Sequence, residues 1–140
     1  MWQCEVNRQT SASAETIWSI LCDVPEWPKW IEGLDHIEMT GPFKAGCVLN
    51  MTPSGQGPVS THLLEVREND GFIDETRLGD VVIRVDHRIE RVGPEQTRIV
   101  YAMRVSGPGA EAIGPKVSAD FPEVLKALAT LAESKEDIRK

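Results

Sequence analysis

Hydrophobic and polar positions alternate with a period of two along most of this chain and change to a period near 3.6 at two places. Trp2-Gln3-Cys4-Glu5-Val6-Asn7 alternates and predicts a first strand. Ala14, Ile17 and Leu21 then fall on one helical face, with Trp18 and Cys22 beside it. Ser11 or Ser13 is placed to cap this short helix, and Glu15 in its first turn suits the positive end of the helix dipole. Pro25 and Pro28 interrupt the pattern, which puts Trp27 and Trp30 on a short helical turn or loop.

From Asp35 the period returns to two. Turn chemistry at Gly41 to Gly46, Pro53 to Pro58, Asn69-Asp70-Gly71, Gly79-Asp80 and Gly93 to Gln96 divides the region into strands. The last two strands are the clearest. Ile83, Val85, His87 and Ile89 share one face against Arg84, Asp86, Arg88 and Glu90, and Ile99, Tyr101, Met103 and Val105 share one face against Arg98 and Arg104. Opposing Arg91 with Thr97 pairs Ile89 with Ile99, His87 with Tyr101 and Val85 with Met103, which puts every apolar residue on one side and so fixes the register. A sheet with one wet and one covered face is antiparallel.

After Gly107-Pro108-Gly109 the period is helical again. Val117, Phe121, Val124, Leu125, Leu128, Leu131 and Ala132 form one wide apolar stripe, so a long C-terminal helix is expected to cover an apolar surface. Gly114-Pro115 and Pro122 should bend or interrupt it, and Pro122 reads either as a static kink or as a bend that gates access for a ligand. The charged residues from Glu133 to Lys140 are expected to fray in solvent, giving a single domain over 1–134 and a charged tail over 135–140.

Composition narrows the classes. With 41% hydrophobic and 26% charged residues among 140, the chain matches an ordinary globular domain. Lys plus Arg number 15 against 22 Asp plus Glu, a net charge of −7 that disfavours nucleic acid and anionic lipid surfaces as partners. No apolar run is long enough for a membrane span, and no signal-peptide pattern opens the sequence, so a cytoplasmic protein without membrane insertion is expected. Cys4, Cys22 and Cys47 are an odd, widely spaced set, read as free thiols. With His36, His62 and His87 equally scattered, no metal and no cofactor are expected.

The order of elements, with an antiparallel sheet of about seven strands and helices confined to one face, is an α+β arrangement. Several segments resemble the SRPBCC superfamily, the START and birch-pollen-allergen helix-grip fold that includes small polyketide cyclases and dehydratases. They are Ala14-Glu15-Thr16-Ile17-Trp18 through Asp23 with Trp27-Pro28-Lys29-Trp30, then Gly41 to Gly46, Glu95 to Ile99, Val105-Ser106-Gly107-Pro108 and the closing Leu125 to Glu133 helix. The resemblance spans nearly the whole chain. It implies a curved sheet wrapped around a long C-terminal helix, two short helices after the first strand, and an apolar cavity between sheet and helix. Such a cavity takes a small hydrophobic or aromatic ligand, polyketide- or lipid-like. Two alternatives follow from the same resemblance: a polyketide cyclase or dehydratase, and a protein-interaction module of the chaperone-activator type. Oligomeric state is left open.

The sharpest candidate residues are His87 and Tyr101, cross-strand neighbours on the covered face. They read either as a polar patch that contacts ligand, with imidazole as base or acceptor and phenol as donor, or as a hydrogen-bonded core pair. Trp30, Val85, Ile99, Met103, Phe121 and Leu125 complete the expected ligand-contacting set, with core packing as the alternative for each. His62 lies on a strand of undetermined phase. Asp74 shares a face with Phe72, Thr76 and Leu78, and a meeting of Asp74 with His87 would favour catalysis.

Overall fold

The structure, a computed structural model, describes residues 1–139. β1 (Trp2–Thr10) leads into α1 (Ala14–Cys22), a 3-10 turn (Val24–Glu26) and the single-turn α2 (Trp27–Trp30). Six strands follow: β2 (Leu34–Met39), β3 (Val48–Pro53), β4 (Val59–Arg67), β5 (Gly71–Leu78), β6 (Val81–Gly93) and β7 (Gln96–Ser106). Two helices, α3 (Ala110–Ser118) and α4 (Phe121–Arg139), close the chain. The strands form one seven-stranded antiparallel sheet in the order β1-β7-β6-β5-β4-β3-β2, with the helices packed on its inner face. This is the helix-grip arrangement. Among the described residues no helix is long and apolar enough to cross a membrane.

Ser13 is the residue that caps α1, its Oγ accepting from the Thr16 N–H at 3.2 Å. The β6–β7 register pairs Ile89 with Ile99, His87 with Tyr101 and Val85 with Met103, as the alternation predicts. Ile17, Leu21, Leu125, Leu128 and Ala132 pack on Leu49, Leu63, Phe72 and Ile99 to make the main core. On the outer face Arg88 reaches Glu5, Asp86 and Glu90, while Arg98 pairs with Glu90 and Arg84 with Glu75. His62 is exposed, because Thr61 and Leu63 take the inward positions of β4.

Of the two expected outcomes for the C-terminal stripe, bending and interruption, the structure has an interruption at Pro122, between Ser118 and Phe121, while α3 runs through Gly114-Pro115 unbroken. Pro122 has no N–H to bond the Ser118 carbonyl and its ring would collide with it, so the helix stops there and restarts with proline in the first turn of α4, where no donor is needed. Pro122 therefore sets a break and lies within no continuous helix that it could kink. Nor does the acidic end fray from Glu133 onward. The helix continues to Arg139, with the Glu133 carboxylate accepting from Thr10 Oγ1 at 2.6 Å and Glu136 accepting from the Ser13 N–H at 2.6 Å. Of the expected tail, Lys140 lies outside the described residues.

Gly71 starts β5 at φ +140, where a Cβ would stand 2.0 Å from the His87 carbonyl oxygen. Only glycine lets β5 approach β6 so closely at this point. Gly71→Ala is expected to cost on the order of 1–3 kcal/mol of stability, read from urea unfolding; a variant as stable as the parent would refute the close-approach account.

Candidate functional site

A cavity of about 410 Å³ lies between the inner face of the sheet and the helices. Its floor comes from Phe72, Asp74 and Thr76 of β5, Val85 and His87 of β6 and Tyr101 of β7, and its roof from Trp27 and Trp30 of α2 and Phe121 and Val124 of α4. Toward the opening stand Leu78, Lys116, Val117 and Asp120, all exposed. The aromatic rings contact each other in series. Trp27 stacks on Phe72 at 6.2 Å between centroids, Phe72 on the His87 imidazole at 4.0 Å, His87 meets Tyr101 edge-on at 4.5 Å, and Tyr101 meets Phe121 edge-on at 5.5 Å. Trp27 is held by an indole N–H bond to the Leu21 carbonyl at 3.1 Å. The Trp30 indole N–H is buried and has no hydrogen-bond partner among the described residues.

The polar centre is the pair Asp74 and His87. His87 Nδ1 lies 3.3 Å from the Phe72 carbonyl oxygen. A carbonyl only accepts, so Nδ1 carries the proton and Nε2 presents a lone pair. Nε2 points to Asp74 Oδ2 at 3.8 Å. β-sheet register explains the meeting. Phe72 opposes His87 and Asp74 opposes Val85, so Asp74 and His87 are diagonal neighbours on one face.

Burial shifts these groups in opposite directions. It raises the Asp74 carboxyl to about 7, against a lowering hydrogen bond from the Val85 backbone. It lowers the His87 imidazole to about 3, against raising bonds to the backbone of Phe72 and Val85. The Tyr101 phenol is pushed up by burial and by the charges of Asp74 and Asp120, so it stays a donor at neutral pH. Asp120, just before α4 at the opening, is also raised by desolvation. Near neutral pH the site thus holds a neutral imidazole, an intact phenol and a carboxyl close to its midpoint. Among the described residues no three His, Cys, Asp or Glu side chains are grouped as metal ligands.

The family model described as polyketide cyclase / dehydrase and lipid transport matches residues 1–133. The chain belongs to this family. No curated protein matches it in sequence. Norcoclaurine synthase of Thalictrum flavum, as a point mutant in complex with a transition-state analogue, has a TM-score of 0.78 at 14% identity over 96% of each chain. The Zhui aromatase/cyclase from Streptomyces sp. R1128 has a TM-score of 0.78 at 15% identity, over 94% of this chain and 93% of its own. A START superfamily protein from Mycobacterium smegmatis has a TM-score of 0.73 at 21% identity, over 94% of this chain and 97% of its own. At these identities the likeness is one of fold.

In this polyketide cyclase / dehydrase family member, Trp30, Val85, His87, Tyr101 and Phe121 are brought together on the cavity wall. Ile99 and Leu125 are not. Both lie in the packed core, at 0% and 1% exposure, under the part of the sheet that α1 and α4 cover tightly. Met103, at 1% exposure, packs with Val81, Ile83, Val85 and Val105 in a second core cluster beneath α3. Sequence reasoning left out Trp27, Phe72, Lys116 and Asp120 and placed Asp74 only conditionally. For Asp74 the signal was present in the two-residue turn Gly79-Asp80. Closing that hairpin pairs Leu78 with Val81 and brings Asp74 diagonal to His87.

Proposed function

We propose that this chain binds a small hydrophobic or aromatic molecule in the cavity between the sheet and the helices. One observation carries the reading: a cavity of about 410 Å³ walled by aromatic rings and holding one cluster of polar groups, Asp74, His87 and Tyr101. That volume and that mixture of apolar wall with few convergent polar groups is what small-molecule sites have. The aromatic faces supply most of the affinity, and the polar cluster with the Trp30 N–H fixes orientation. Native mass spectrometry of freshly purified protein is expected to show a bound small molecule that leaves on denaturation. Val85→Phe, which fills the floor, is expected to lose it. An unliganded spectrum, with no thermal shift across a panel of aromatic polyketides and lipids, would count against binding.

The Asp74–His87 distance favours a second reading, that of a cyclase or dehydratase. Of the two groups, Asp74 has the affinity for protons that general acid–base work at neutral pH requires, while His87 suits an acceptor role. A proton α to a ligand carbonyl would pass to the Asp74 carboxylate, the electron pair would move to the carbonyl oxygen, and the Tyr101 O–H would donate to the resulting enolate. Turnover of an added polyketone is then expected to fall at least about a hundredfold in Asp74→Asn and to drop in Tyr101→Phe. Turnover unchanged in both would remove the enzymatic reading.

A further inference from the structure

We infer that the ligand of this cavity is cationic: an aromatic amine whose ammonium group pairs with the Asp74 carboxylate while its ring lies among Trp30, Phe72, Tyr101 and Phe121. This rests on the ligand-binding reading above and specifies the chemistry of the same site.

Three features of the cavity and the charge of the whole chain converge on a cation. Asp74 is a carboxyl without a cation to match it: its one ion-pair partner among the described residues is His87, whose Nδ1 proton is committed to the Phe72 carbonyl and whose Nε2 has no proton to give. A carboxylate removed from water and left without a counter-charge is costly, and a ligand ammonium supplies that charge together with strong hydrogen bonds. The surrounding wall offers ring faces, which attract a cation through their quadrupoles. Ionisable groups along the cavity are otherwise sparse. Asp120 adds a second carboxylate toward the opening, and Lys116, exposed on α3, is the cationic side chain of the wall among the described residues. An anionic ligand would meet two carboxyl groups and one solvated amine. A net charge of −7 on the whole chain draws cations and repels anions in the same sense.

Three bicyclic probes of similar shape decide the matter by titration calorimetry: 2-naphthylmethylammonium, 2-naphthylmethanol and 2-naphthoate. The amine is expected to bind at least about tenfold more tightly than the alcohol, with the carboxylate weakest. Asp74→Asn is expected to remove the advantage of the amine, bringing its affinity to within about threefold of that of the alcohol for the same variant. Equal affinities for amine and alcohol would overturn the cationic inference and leave the cavity reading standing. That outcome would point to a neutral carbonyl or hydroxyl ligand held by the protonated carboxyl. No binding of any probe, with nothing co-purifying, would overturn both. The wild-type protein gives a reading that does not depend on the variant. Amine affinity is expected to rise between about pH 5 and about pH 8 as Asp74 ionises, and alcohol affinity to stay level. The groups facing Asp74 are His87 on β6 and Tyr101 on β7, with Lys116 on α3 and Asp120 before α4 toward the opening. His87 stays neutral and Tyr101 protonated over that range. Asp120→Asn is expected to keep the rise; a level amine profile in the wild type, or a rise that vanishes with Asp120, overturns the assignment to Asp74.

Discussion

Replacing Asp74 with Asn is expected to stabilise the protein at about pH 8 by up to about 4 kcal/mol and to change its stability little at about pH 4. The carboxyl stands at about 7 in the folded chain against an ordinary value of 3.8. Between those two values the folded state holds a proton that the unfolded state has released. Stability therefore falls as pH rises through this window and is level above it, at about 1.4 kcal/mol for each unit of difference. Asparagine keeps the shape and has no charge to bury. His87 works in the opposite sense: lowered from 6.5 to about 3, it makes the folded state lose stability as pH falls from about 6.5 toward 3. In the wild type the two slopes largely offset each other. In Asp74→Asn the His87 slope stands alone, so the variant should gain stability steadily from about pH 4 to about pH 7 while the parent stays nearly flat. Urea unfolding followed by tryptophan fluorescence at three pH values measures this. A variant less stable than the parent at about pH 8 would contradict the burial of an unmatched carboxyl.

Phe72→Ala is expected to cost about 3–5 kcal/mol. Phe72 is 0% exposed and touches three rings: it stacks on Trp27, stacks on His87 and meets Phe43 edge-on at 5.1 Å. Truncation removes those contacts and joins a new void to the cavity between sheet and helices, whose apolar lining cannot collapse onto the rigid sheet. Phe72→Leu keeps most of the volume and should cost less than about 1.5 kcal/mol. Urea midpoints of the two variants separate the effects; similar losses in both would show that ring stacking, and not volume, is what matters here.

Much of this architecture is legible locally. Strand alternation with turn residues places β6 and β7 in register, because a slip of one residue would turn Ile89, His87 and Val85 to solvent. The α3–α4 break is signalled by Pro122, although the apolar stripe runs through it. Stripe and proline are both satisfied once α4 restarts at Phe121. Glu133 and Glu136 read as solvated tail because their partners, Thr10 and the Ser13 backbone, are far away in the sequence.

For the site, the same division holds within single strands. Val85 and Ile89 on β6, or Tyr101 and Ile99 on β7, share one face by periodicity, but only the former of each pair lines the cavity. Alternation along each strand is enough to assign which residues face inward, because side-chain direction depends on neighbouring backbone alone. Packing in three dimensions sets which stretch of the inner face α1 and α4 seal and which stretch is left open beneath α2 and Phe121. It also brings Asp74, which periodicity leaves without a partner, beside the neutral imidazole of His87 and raises its carboxyl toward neutrality. Desolvation is set by everything that surrounds a group in space, and that information lies in no segment of the chain.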